Sequence, residues 1–317
     1  MTPRRAMSDP RPIGIFDSGI GGLTVLQAIT RRLPAESTIY LGDNARAPYG
    51  TRPDEEVQAF ALAGVEALVR RGVKTVVVAC NTASAVALDL LRRRFDLPIL
   101  GVIRPGAARA VLATRNRRIG VIATPATIRS HAYFRAIKDE NPAVEVYEHA
   151  TPTLVPLVEA GRLDGPEVEA AVAAELAPLL GGRDADGEFI FPLPPSSRID
   201  TLLLGCTHYP LIAPVIRRVV GDRVAVVDSA TATAASLAEL LLVNGLEAPG
   251  STRGTAADPG PAAHQPPDES WRPPAHLQLT TGDPAAFRRL AEGLFGPGFL
   301  DVDRVELEPA GPPARVR

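Results

Sequence analysis

Cys80 and Cys206 are the only thiols in 317 residues. Each closes an apolar run, Lys74-Thr-Val-Val-Val-Ala-Cys80 and Asp200-Thr-Leu-Leu-Leu-Gly-Cys206. Each is followed by residues suited to capping a helix, Asn81-Thr82 in one case and Thr207-His208 in the other. Segments 74–84 and 200–210 thus echo one another. Thiols at helix N-termini are the reactive kind, with lowered pKa. Two of them in equivalent settings suit stereoinversion, in which one thiolate removes an α-proton and the other thiol delivers one to the opposite face. A free thiol titrates near 8.5 and needs only a modest shift for such work. The developing carbanion requires electrostatic stabilisation, with backbone N–H groups at helix N-termini facing a carboxylate as the obvious donors. The competing chemistry is a single Cys nucleophile with a His, as in a cysteine-dependent hydrolase. Two small buried hydrophobes, or a regulatory disulfide, are the non-catalytic alternatives.

Composition removes other chemistries. With 34 basic against 36 acidic residues the formal charge is −2, which lacks the footprint of a direct nucleic-acid binder. Only two of the basic residues are lysines, Lys74 opening an apolar run and Lys138 ending a polar helix, and neither suits a pyridoxal Schiff base. The histidines at 131, 149, 208, 264 and 276 form no His-x-His or His-x-x-x-His pair, and two cysteines cannot build a zinc cage. The expectation is therefore no metal and no cofactor. Gly19-Ile-Gly-Gly22 lacks both the Gly-Lys-Ser/Thr of a P-loop and the third glycine of a dinucleotide fingerprint, so it reads as a tight turn. No apolar stretch approaches the roughly 18–20 residues that span a bilayer. Met1–Pro12 carries arginines without a following apolar region, unlike a secretory signal. The expected setting is cytoplasmic, with a small-molecule substrate and no membrane partner.

The elements that must carry these residues follow a βα alternation. Strand candidates are 13–16, 38–42, 74–79, 98–103, 118–123, 144–148, 200–204, 223–227 and 277–280, most of them continuous Val/Ile/Leu runs of the kind buried on both faces. Helix candidates are 23–33, 54–72 closed by Gly72, 83–95, 127–139, 165–180, 232–245 and 284–295. This succession predicts an α/β fold with parallel sheets flanked by helices. Both cysteines, and the pair Asp17-Ser18, then fall at carboxyl ends of strands, the edge where open α/β sheets bind ligands. The length favours two domains. Residues 1–11, 181–198, 248–276 and 309–317 break the pattern and are expected to be flexible surface segments.

The segments IGIFDSGIGGLTVL (13–26), GDNARAPYGTR (42–52), VVACNTASA (77–85), ATIRSHAYF (126–134) and LLGCTHYPLI (203–212) closely resemble the glutamate racemases, cofactor-independent enzymes that supply D-glutamate for peptidoglycan. The resemblance spans about 13–300 apart from the two insertions. It implies two similar α/β domains with the active site in the cleft between them, the first built from 12–103 plus 215–300 and the second from 104–214. It implies Cys80 and Cys206 as the two bases, Cys80 acting on D-glutamate and Cys206 on L-glutamate. Asp17 is implied as the proton partner of Cys80, His208 as that of Cys206, and Glu159 as the acid orienting the histidine. A carboxylate beside a thiol raises its pKa, so Cys80 is expected to rest protonated. Asp17, Ser18, Tyr49, Gly50, Asn81, Thr82, Thr127, Thr207 and His208 match positions that hold the amino acid's carboxylates and ammonium. Arg104 stands where many relatives carry Glu, and Thr151 replaces a frequent Cys. The relatives' habit also implies a homodimer. An aspartate or other amino-acid racemase of the same superfamily, and a non-catalytic binding protein, are the rival functions.

Overall fold

The computed structural model describes residues 8–180, 182–183, 189–190, 198–250, 275–296 and 302–308. Its frame is two all-parallel sheets. The first comprises β1 (Ile13–Asp17), β2 (Thr38–Gly42), β3 (Thr75–Val78), β4 (Ile99–Gly101), β11 (His276–Thr280) and β12 (Val302–Arg304), in the order β12-β11-β2-β1-β3-β4. The second comprises β5 (Arg118–Ala123), β6 (Glu145–Ala150), β9 (Thr201–Gly205) and β10 (Ala225–Asp228), in the order β10-β9-β5-β6. The central strands β1, β3 and β9 are buried at every residue, which is why their sequences show apolar runs instead of alternation.

Helices cover both faces of the first sheet. On one side α1 (Leu23–Arg32), α11 (Ala230–Asn244) and α12 (Pro284–Phe295) pack with Ile15, Tyr40 and Val77. On the other, α2 (Asp54–Val69), α3 (Asn81–Val86) and α4 (Leu88–Arg94) pack with Phe16, Leu41 and Val78. The second sheet lies between α5 (Ile103–Ala113) with α7 (Ala132–Glu140) and a layer of α8 (Leu154–Glu159), α9 (Pro166–Leu180) and α10 (Ala213–Val220). The remaining short helix is α6 (Pro125–Arg129).

Several expectations need correction. The first domain was expected to resume at 215, yet α10 packs against α9, and β10 pairs in parallel with β9. The chain therefore returns to the first sheet's layers at Ser229, entering α11, and that sheet continues past 300 into β12. Helices α5, α8 and α10 are additional to those read from the sequence. The continuous helix expected over 83–95 divides at Ala87, and that over 127–139 divides before His131, whose φ is +51°. Within 181–198 an antiparallel pair forms, β7 (Gly182–Arg183) with β8 (Phe189–Ile190). Residues 8–11 are held in place, Asp9 donating its N–H to Glu247 and accepting from Lys74 Nζ at 2.9 Å through its carbonyl. The expectations for 1–7, 251–274 and 309–317 lie outside the described residues.

Candidate active site

Every strand bordering the site delivers a polar residue at or just past its carboxyl end. β1 ends at Asp17 and leads to Ser18; β3 leads through Ala79 to Cys80; β5 leads to Thr124; β6 leads to Thr151; β9 leads to Cys206. The carboxyl edges of the two sheets border one cleft, lined by both cysteines.

Cys80 is the N-cap of α3, with extended backbone (φ −62°, ψ 120°), and its Sγ accepts from Ala83 N–H at 3.5 Å. The thiol lies 3.5 Å from Ser18 Oγ, positioned to donate to it. Burial, reinforced by the negative charge of Asp17, pushes the Cys80 thiol up to about 12. Burial, more than the neighbouring carboxylate, thus favours the protonated thiol.

Cys206 Sγ lies 3.7 Å from His208 Nδ1, and His208 Nε2 lies 3.3 Å from Glu159 Oε1, at ion-pair distance but off the line of a hydrogen bond. Burial works against a charged imidazole here. The contacts to Cys206 and Glu159 outweigh it and push His208 up to about 10, so the ring is a cation at neutral pH. The cation stands beside Cys206, while Cys80 faces a carboxylate, so the two thiols are equivalent in topology and opposite in electrostatics.

Ser18, Asn81, Thr82, Thr207, His208 and Glu159 all border the cleft. Tyr49 and Gly50 border it too, and the Tyr49 hydroxyl donates to Asp43 Oδ2. Gly50 carries the loop against the second sheet's elements: its carbonyl accepts from Ala126 N–H at 2.9 Å, and a Cβ there would stand 2.5 Å from Thr124 Cβ. Gly21 does the same on the other flank, where a Cβ would meet Thr207 Oγ1 at 2.5 Å and His208 Nδ1 at 2.7 Å.

Asp17 and Thr127 are brought to the site but stand behind its wall. Asp17 is fully buried, accepts from Gly19 N–H at 3.0 Å and lies 3.5 Å from Thr207 Oγ1. Burial raises its pKa against the opposing pull of the His208 charge and of nearby backbone N–H groups. Thr127 joins Thr82 and Thr124 in a triangle of hydroxyls with edges of 2.9 to 3.2 Å.

Thr124, Thr151, Pro152 and Val155 border the cleft without having been singled out from the sequence as binding residues. The available signal was positional, since Thr124 and Thr151 directly follow β5 and β6. Thr151 packs its hydroxyl 2.6 Å from Tyr209 OH. Arg104 is exposed and ion-paired with Asp139 at 3.3 Å, away from the cysteines. Among the described residues, no Lys or Arg lines the cleft and no group of three or more His, Cys, Asp or Glu is gathered to hold a metal.

Residues 13–187 match the family model described as Asp/Glu/Hydantoin racemase. A glutamate racemase of Beutenbergia cavernae is 45% identical over 305 residues, covering 95% of each chain. Among solved structures, a glutamate racemase isoform of Bacillus anthracis superposes with a TM-score of 0.80 at 38% identity, covering 94% of this chain and 98% of its own. That of Francisella tularensis, in complex with D-glutamate, superposes with a TM-score of 0.75 at 32% identity, covering 95% and 99%. With this breadth of agreement in sequence and fold, the chain belongs to the Asp/Glu/Hydantoin racemase family, among the glutamate racemases, and is an isomerase.

Proposed function

We propose that this protein interconverts L- and D-glutamate by two-base proton transfer between Cys80 and Cys206, without a cofactor, and supplies D-glutamate for peptidoglycan. The observation that carries the reading is that the two thiols come from different sheets yet border the same cleft. In the forward direction Cys206, beside the cationic His208, removes the α-proton of L-glutamate. The resulting carbanion takes the proton that Cys80 already holds, on the opposite face, and D-glutamate forms. The thiol and thiolate have then exchanged places, and proton exchange through Asp17 and His208 resets them. The reverse reaction starts with Cys80 as base.

The binding chemistry follows from the lining. The hydroxyls of Ser18, Thr82 and Thr207, with backbone N–H groups at the strand ends, offer neutral donors to the two carboxylates. Asn81 Oδ1 is buried without a hydrogen-bond partner, an acceptor available to the ammonium. Neutral donors in a dry cleft stabilise the developing carbanion charge more strongly than the same groups would in water.

The test is incubation with L-glutamate in D2O, following optical rotation and deuterium at Cα, for the wild type, Cys80→Ser and Cys206→Ser. Two-base transfer puts early deuterium only into the enantiomer being formed, and either substitution slows racemisation by about 10³-fold. Deuterium appearing equally in residual substrate, or one serine variant retaining full activity, would refute the two-thiol mechanism. Racemisation of aspartate but not glutamate would overturn the substrate. Growth rescue of a D-glutamate auxotroph tests the supply role.

A further inference from the structure

The cleft contains a buried polar group whose orientation is decided outside the cleft. Asn81 Nδ2 donates to the hydroxyl of Tyr133 at 2.7 Å, and the other end of the same amide, Oδ1, is buried without a partner. Asn81 belongs to α3, on the first sheet, whereas Tyr133 belongs to α7, on the second. Tyr133 is wholly buried and is not part of the cleft wall. Its ring passes between α5 and β9. A Cβ on Gly205 would stand 2.9 Å from Tyr133 Cε2, and one on Gly106 would stand 3.5 Å from Cε1.

An amide can present either end to a hydroxyl, because a hydroxyl both donates and accepts. The structure shows the order directly: Nδ2 donates and the Tyr133 oxygen accepts, which leaves Oδ1 as the end of the amide without a partner in the protein. Burial keeps the phenol protonated, so it stays a neutral partner of the amide.

We infer that Tyr133 is a positioning residue that locks the Asn81 amide with its oxygen toward the substrate's ammonium group. The assignment rests on the reading of the cleft as an amino-acid site. A flipped amide would point an N–H at the ammonium, so losing the lock penalises only ligands that carry that ammonium.

The experiment compares binding of D-glutamate and of glutarate, which has the same two carboxylates and no amino group, by calorimetry with the full chain. Tyr133→Phe is expected to weaken D-glutamate about tenfold and to leave glutarate within about twofold. In a double-mutant cycle, adding Tyr133→Phe to Asn81→Ala should cost nothing further, since the partner through which it acts is gone. Equal weakening of both ligands, or additive losses in the cycle, would mean that Tyr133 merely supports the fold and would overturn the inference. If the wild type binds glutarate but neither enantiomer of glutamate, the amino-acid reading itself fails, an outcome distinct from an altered ratio in the variants.

Discussion

Replacing Glu159 by glutamine removes one charge and little volume, and it isolates the electrostatics of the Cys206 side. Glu159 Oε1 and His208 Nε2 are 3.3 Å apart, which at an effective dielectric near 20 corresponds to about 5 kcal/mol of Coulomb attraction. The histidine is buried, but the carboxylate side chain is 34% exposed. Solvent screening therefore reduces the attraction to about 1–2 kcal/mol, or roughly one pKa unit on the imidazole at 1.36 kcal/mol per unit. The expected result is a His208 titration that moves from about 10 in the wild type toward 9 in Glu159→Gln, read by NMR of the labelled ring. The alkaline limb of kcat/KM should move with it. A racemisation between enantiomers has an equilibrium constant of one, so both directions must shift together, which provides an internal check. Stability follows the same proton. His208 is raised above its ordinary 6.5, so its ionic contacts support the fold fully below that pH and cease to do so as pH climbs through about 10. Glu159→Gln should thus lower Tm at pH 7 and leave it nearly unchanged at pH 11. An unmoved limb and an unmoved titration would refute Glu159 as a charge that raises the His208 pKa.

Other perturbations address different parts of the structure. Gly21→Ala forces a methyl within 2.5 Å of Thr207 Oγ1 and 2.7 Å of His208 Nδ1, so activity should fall by about 10²-fold with a near-normal circular dichroism spectrum. Gly64→Ala drives a Cβ to 2.2 Å from the Phe16 ring and should cost about 1–3 kcal/mol in denaturant unfolding. Lys74→Met leaves Glu36 buried without its partner at 2.5 Å and should cost about 3–5 kcal/mol, and adding Glu36→Leu should recover much of it. Failure of the second substitution to recover stability would show that the hydrogen bonds to Asp9 and Ala248, not the ion pair, anchor this end of the first sheet.

The α/β class and the strands were legible because parallel strands buried on both faces must be written as unbroken apolar runs. The two thiols were legible because each sits at a fixed place relative to such a run. Helix continuity was less so. The division at Ala87 and the left-handed turn at His131 answer to packing against neighbouring elements, and no glycine or proline marks either position. Sheet membership was not legible at all: residues 223–227 form a strand in either reading, and only pairing with β9 assigns them to the second sheet. The chemistry divides in the same way. Residue identity and setting named Cys80 and Cys206 as candidates, because a thiol has intrinsic acid–base character wherever it lies, and the family resemblance added His208 and Glu159. Their unequal roles came from folding. Burial and Asp17 hold the proton on Cys80, while Cys206 itself and Glu159, brought in from α8, favour the charge on His208. Tyr49, read as a binding residue, donates its hydroxyl to Asp43, and Tyr133, with no local signal, reaches Asn81 from the other sheet. Sequence thus carries the identity of acids and bases, which is local. Tertiary structure alone decides which charges share a dry cleft, because electrostatic energy depends on distances and burial between segments far apart in the chain.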